Sequence, residues 1–168
     1  MRAAIARFKF EGRADLGRPL GDLLARHACG DPALARSDVV VPVPLHQDRL
    51  WERGFDHAVL LAGAVAGGLQ IPLAAGVLQR ERATAPQAGL GARARWANVG
   101  GAFRVDSVRQ HLLEDRRVVL VDDILTSGAT ASACAEALQA AGAAEVRVAT
   151  LARAILGGLP RSGAAAAG

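Results

Sequence analysis

Lysine is almost missing from this chain: Lys9 is the only one among 20 basic residues. The net charge of +4 and the pI near 10.3 therefore rest on arginine, the better bidentate partner for phosphate. A basic balance of this size is compatible with nucleic acid without requiring it. Cysteine is scarce too. Cys29 and Cys134 lie far apart and in no Cys-x-x-Cys pair, which supports neither a disulfide framework nor a zinc site. No apolar run reaches the ~18 residues of a membrane span, and the start lacks the charged, apolar and small-residue order of a signal peptide. Membrane insertion is not expected, and a cytoplasmic location is.

What the chain does have is apolar content, 51% over 168 residues with a mean hydropathy of +0.21. That is one globular domain of ordinary size. Much of the content is alanine, so the core is expected to rest on many small contacts.

The organising stretch is residues 117–130, Arg-Val-Val-Leu-Val-Asp-Asp-Ile-Leu-Thr-Ser-Gly-Ala-Thr. Its Val-Val-Leu-Val run reads as a strand buried on both faces of a parallel sheet. The run ends in Asp122 and Asp123, then a small hydroxyl-rich loop, then an alanine-rich helix over 129–141 stopped by Gly142. Strand, acidic pair, loop and helix describe a ligand site at the carboxyl end of a parallel strand. The stretch has neither a Gly-Lys-Ser/Thr ending nor a Gly-x-Gly, so it is not a Walker loop or a dinucleotide fingerprint.

Backbone N–H groups from Thr126 through Ser127, Gly128 and Ala129 to Thr130 would line a cradle for a monophosphate, where the helix dipole favours an anion. Gly128 allows close approach of backbone, and the hydroxyls of Thr126, Ser127 and Thr130 add donors. Asp122 and Asp123 suit vicinal hydroxyls. A sugar phosphate satisfies both halves.

The remaining segments alternate. A helix is expected over 13–28 from Leu16, Leu20, Leu23 and Leu24, and a loop over 29–37; His27 and Cys29 read as surface and packing residues. Residues 38–44 form a strand closed by Pro42 and Pro44. A charged loop with Arg49 and Arg53 follows, then a helix over 57–69. Residues 76–78 make a short strand leading into a basic loop, 79–98, with Arg80, Arg82, Arg93 and Arg95. A loop of that length inside a domain is usually functional, and this one suits a lid over an anion. Strands over 101–105 and 145–151 complete the pattern, the last alternating enough to lie near an edge. The domain is expected to span 1–155, with 1–36 as a candidate hood and 156–168 as a disordered tail. The fold class is α/β, a doubly wound, mostly parallel sheet of four to five strands.

Residues 118–130 resemble the phosphoribosyl pyrophosphate (PRPP) signature of type I phosphoribosyltransferases. More segments narrow the likeness: Val41-Pro42-Val43-Pro44-Leu45; Arg49 with Arg53-Gly54-Phe55-Asp56; Arg82-x-Thr84-x-Pro86-Gln87-x-x-Leu90; Arg95-x-x-Asn98; and Phe8-Lys9-Phe10-Glu11-Gly12. Together they look like the ComF (competence protein F) family over roughly residues 5–153. That family usually has Asn where this chain has Asp56. Many members also carry a cysteine-rich zinc module ahead of this domain; nothing like it precedes Arg2, so no zinc is expected in this chain.

The resemblance implies a type I phosphoribosyltransferase fold that binds PRPP or ribose 5-phosphate with Mg²⁺. Asp122 and Asp123 would take the ribose hydroxyls and meet Mg²⁺ indirectly, through those hydroxyls or water. Residues 126–130 would take the phosphate. Arg49, Arg53, Arg80 and Arg82 would face the pyrophosphate, with Arg80 and Arg82 the candidates for a catalytic role. It also implies a role in competence and DNA uptake, with single-stranded DNA and helicase-type proteins as partners; a homodimer is left open. Enzymes of the hypoxanthine type place an aspartate where this chain has Thr126, which argues against an acceptor needing that proton transfer. Three readings stand side by side: an active transferase of unread acceptor, a ComF-type binding protein, and a PRPP-sensing regulator without turnover.

Overall fold

A computed structural model describes residues 4, 5, 7, 8, 13–45, 50, 54–82 and 99–153. Arg49, Arg53, the basic loop from Ala83 to Asn98 and the tail lie outside the described residues. Three α-helices are described at length: α1 (Gly17–Gly30), α2 (His57–Leu69) and α3 (Ala129–Ala140). Five strands accompany them: β1 (Val39–Pro42), β2 (Leu78–Arg80), β3 (Phe103–Val105), β4 (Arg117–Leu125) and β5 (Glu145–Arg153).

The central sheet has the order β1-β4-β5, all parallel. Leu73 adds a parallel bridge to Val40 on the outer side of β1. The expected doubly wound α/β class holds; among the described residues three parallel strands form the sheet, against the four to five expected. The short strands β2 and β3 pair with each other, antiparallel, instead of extending that sheet. Each is three residues long, and each directs one buried apolar residue inward, Leu78 and Phe103. That suffices for a ribbon packed on α3 but not for a strand covered on both faces.

β4 is central because its valines serve two cores. Val118 and Leu120 face one cluster, with Val39, Val41, Cys134 and Leu138. Val119 and Val121 face another, with Val40, Leu61, Val65 and Leu24. All four of these β4 side chains are fully buried, each worth ~1.5–3 kcal/mol relative to exposure. This is the period-2 alternation of a strand sandwiched between helices. Helices α1 and α2 cover one face and α3 the other.

Each helix start has a local cause. Asp56 caps α2, its Oδ1 accepting from the N–H of Ala58 at 2.9 Å and of Val59 at 3.3 Å, so the expected span of 57–69 is met. α1 is preceded by a 3₁₀ turn, Ala14–Leu16, and runs to Gly30, two residues past the expected end at 28. The loop after it is partly ordered as a second 3₁₀ turn, Leu34–Arg36, nucleated by Asp31 Oδ1 accepting from Ala33 N–H at 2.8 Å. Gly142 turns the chain out of α3 at φ 102°. Among the described residues no helix is long and apolar enough to cross a membrane.

Candidate functional site

The helices that follow β1 and β4 lie on opposite faces of the sheet, although the two strands are neighbours. That makes the gap beyond their carboxyl ends a topological switch point, where open α/β sheets bind ligands. The two strands end at different heights. β1 stops at Pro42, opposite Val121, and the last bond on that side is Val43 N–H to the Val121 carbonyl, 2.9 Å. On its other side β4 continues, with Ile124 and Leu125 paired to Ala152 and Arg153. The two carboxylates therefore sit inside the strand and not past its end as the sequence suggests, because β5 is as long as β4.

From Asp122 onward no backbone among the described residues bonds to the β1 side of β4, and the Asp122 carboxylate fills some of that edge. Asp122 Oδ1 accepts from Asp123 N–H at 2.8 Å, and Asp123 Oδ1 accepts from Ile124 N–H at 2.6 Å. These local bonds fix the orientation of both groups. By strand alternation Asp122 follows Val118 and Leu120 toward α3, whereas Asp123 follows Val119 and Val121 toward α2. Asp123 is the more enclosed, at 6% exposure. Asp122 also acts on Cys134 of α3. Burial pushes that thiol well up, Asp122 adds to the rise, and Arg80 opposes it.

The loop from Thr126 to Gly128 is half-exposed and leads directly into α3. Gly128 is the N-cap, at φ 83° and ψ −8°, with no side-chain cap bond. Among the described residues a Cβ built at Gly128 meets nothing within 4 Å. Its glycine is thus required by conformation, and the space above it is open. Ser127 Oγ accepts from Ala129 N–H at 3.4 Å. Ala129 itself is buried, so its backbone is its contribution, while Thr130 stays half-exposed. Residues 126–130 are thereby gathered at one helix N-terminus, beside the two carboxylates.

Of the four arginines expected here, Arg49 and Arg53 lie outside the described residues. Arg80 is not in a loop, as the sequence suggests, but is the last residue of β2, opposite Phe103. Its guanidinium lies 5.5 Å from the Phe103 ring centroid, a cation–π contact that stiffens the root of the segment 83–98. Phe103 belongs to the cluster that holds Cys134, Val118 and Leu120, so Arg80 lies on the same side of the sheet as Asp122. Arg82 donates to the Gly100 carbonyl at 2.9 Å, across the base of the same segment. His27 and Cys29 are exposed, as expected of surface residues.

One residue with no clear signal in the sequence is His57. It is buried, and its Nε2 donates to the Phe8 carbonyl at 2.6 Å. The Phe8 and Phe55 rings flank it, with centroids 4.5 and 4.6 Å away. This cluster ties the start of the chain to the first turn of α2, next to the crevice. All that marks it in the sequence is a histidine directly after a capping acid.

Comparison with known proteins fits this geometry. A family model described as "Phosphoribosyl transferase domain" matches residues 56–165. Competence protein F of Haemophilus influenzae is 36% identical over 153 residues, covering 89% of this chain and 66% of that protein. DNA utilization protein YhgH of Escherichia coli K12 is 36% identical over 152 residues, covering 89% and 65%. The chain thus spans just under two thirds of these relatives. Among solved structures, glutamine PRPP amidotransferase from B. subtilis, complexed with ADP and GMP, superposes with a TM-score of 0.53 at 26% identity, covering 80% of this chain and 26% of that one. Adenine phosphoribosyl transferase from Trypanosoma brucei, in complex with AMP, pyrophosphate and ribose-5-phosphate, shares the fold at a TM-score of 0.50 and 16% identity, covering 86% and 55%. The chain belongs to the phosphoribosyl transferase domain family, as a type I phosphoribosyltransferase-like protein of the ComF group.

Proposed function

We propose that this protein binds PRPP, or ribose 5-phosphate, in the crevice between β1 and β4. The observation that carries the reading is Gly128, a left-handed N-cap with open space above it, just past the end of a strand that holds two oriented carboxylates. The 5-phosphate would sit on the N-terminus of α3, against the N–H groups of residues 126–130. Asp122 and Asp123 would accept from the ribose hydroxyls. Arg80 and Arg82 would approach the pyrophosphate from the end of β2 and the residues just after it, and Arg49 and Arg53 are the further candidates to meet it.

The residues fit a Mg²⁺ ion shared with the ligand. Among the described residues no group of three or more His, Cys, Asp or Glu side chains could hold a metal by itself. Asp122 and Asp123 would hold the ion through ribose hydroxyls or water. When bound, Mg²⁺ supplies neutralisation of pyrophosphate charge.

The names of two relatives, Competence protein F and DNA utilization protein YhgH, support a role in competence and DNA uptake. Its partners there would be single-stranded DNA and helicase-type proteins, in the cytoplasm. Thr126, where a general base stands in hypoxanthine-type enzymes, favours a binding role over phosphoribosyl transfer to an acceptor that must lose a proton.

Calorimetric titration with PRPP and Mg²⁺, against ribose 5-phosphate and single-stranded DNA, tests the pocket. The double change Asp122→Asn and Asp123→Asn should weaken PRPP at least tenfold, since a hydrogen bond to a charged group is worth ~1.5–3 kcal/mol. Unchanged affinity would remove the assignment. Clear DNA binding without PRPP binding would leave the fold as a scaffold only.

A further inference from the structure

The outer edge of β5 is built to pair with another strand, and we propose that it pairs with β5 of a second copy of this chain, antiparallel and centred on Ala149. The inference is independent of what the crevice binds. β5 is the last strand of the sheet, and among the described residues no segment bonds to its outer side. It runs nine residues, Glu145–Arg153. Every pair with β4 keeps the same offset, from Arg117 with Glu145 to Leu125 with Arg153, so no bulge twists the edge away. Natural edges are usually short, bulged, proline-bearing or lined with lysine. This one is long, regular and free of proline and lysine, and the charges it does carry, Glu145, Arg147 and Arg153, are of both signs.

The hydrogen-bonding parity is set by the neighbours. Arg117 and Val121 direct their carbonyls to Asp38 and Val43 on the β1 side, at 2.8 and 2.9 Å. The even-numbered residues of β4 therefore face β5, and the constant register makes the odd-numbered residues of β5 face β4. Val146, Val148, Thr150 and Ala152 point their N–H and C=O groups outward. An antiparallel partner centred on Ala149 places Val146 opposite Ala152 and Val148 opposite Thr150, outward groups meeting outward groups.

Charge selects that centre. It sets Glu145 of each copy opposite Arg153 of the other, twice over, using the whole strand. Opposite charges across an antiparallel pair stabilise it, and like charges oppose it. Centring on Arg147 would put that arginine against itself; centring on Thr150 would put Arg147 against Arg153. Val148, 38% exposed on the sheet face beside α3, would be covered by the partner. The product is a two-fold dimer with one continuous six-stranded sheet, its two crevices at opposite ends.

Sedimentation equilibrium of the full chain tests this. The expected mass is twice the chain's 17.3 kDa. Val148→Pro removes an outward N–H and spares the β4 ladder, so it should yield a folded monomer by circular dichroism and mass. Glu145→Arg should loosen the dimer at least tenfold, and adding Arg153→Glu to it should restore the dimer. A monomeric wild type, or a Val148→Pro variant that stays folded and dimeric, would overturn the proposal. So would failure of the double charge swap to restore association in a folded protein.

Discussion

Asp38 and Arg117 close the amino end of the sheet with a ring of four hydrogen bonds. Arg117 donates through its backbone N–H at 2.8 Å and its Nε at 2.9 Å to Asp38 Oδ2, and through a terminal nitrogen at 2.7 Å to Oδ1. The fourth bond runs from Asp38 N–H to the Arg117 carbonyl at 2.8 Å. The ring sets the β1–β4 register one residue ahead of the first ladder pair, Val39 with Val118. It lies at the end of the sheet away from the crevice, so it serves the fold and not the ligand.

These bonds hold the Asp38 carboxyl down, from 3.8 to about 2, with the Arg117 side chain as the largest cause. The sign follows from linkage. A depressed carboxylate adds stability that is fully present above its unfolded value and is lost as the pH falls through its folded one. The contribution should be whole above pH ~4 and vanish toward pH 2. Asp38→Asn should cost about 1 kcal/mol at neutral pH, a modest figure because the pair is partly solvated. The variant's urea midpoint should converge on that of the wild type at pH ~2. A gap that persists in acid would show that the loss is steric.

Two glycines on facing helices should respond oppositely to the same change. A Cβ at Gly21 of α1 would lie 2.8 Å from the Ala64 Cβ of α2, whereas one at Gly63 meets nothing within 4 Å. Gly63→Ala should stabilise by ~0.5–1 kcal/mol through helix propensity alone. Gly21→Ala gains the same propensity but must push α1 and α2 apart at a methyl contact, an overpacking cost of about 1–3 kcal/mol. Thermal melts should show Gly63→Ala rising and Gly21→Ala falling. Equal shifts would mean that the helices are not held this closely.

What the sequence reveals here follows the range of the interactions. β4, the 126–130 loop and α3 are legible because strand, glycine and helix are consecutive, and each announces itself by local chemistry. The β5 strand is legible by its alternation. The pairing of β2 with β3 is not, since its partners lie far apart in the chain and each strand buries one apolar residue inward. The length of β4 beyond Asp122 is set by β5, not by its own residues. The His57 contact to Phe8 spans 49 positions, and neither residue advertises the other.

Asp56 explains why this chain and the ComF pattern differ so quietly at that position. The pattern usually has Asn there, and the side chain's work in this structure is to accept from the N–H groups of Ala58 and Val59. Asn and Asp serve equally as N-caps. Asp56→Asn should leave the unfolding midpoint almost unchanged, and Asp56→Ala should cost about 1 kcal/mol. Because α2 starts beside the crevice, the Ala variant should also loosen the Phe55–His57 pair and speed amide exchange in the first turn of α2. A large loss with Asn would mean that the charge itself is used.

Gly128 separates the needs of the fold from those of the ligand. At φ 83° any L-residue with a Cβ is strained by roughly 1–2 kcal/mol, although nothing crowds the position. Gly128→Ala should therefore lower stability by about that amount. Asparagine tolerates the left-handed region better than alanine, so Gly128→Asn should recover some of the lost stability. Neither variant should recover binding, because both fill the open space over the α3 N-terminus where the phosphate is proposed to sit. Urea unfolding read beside PRPP titration makes the comparison. Stability that improves from Ala to Asn while affinity stays at least tenfold down marks the space as the ligand's; affinity that returns with stability would mean that Gly128 acts only through the backbone it shapes.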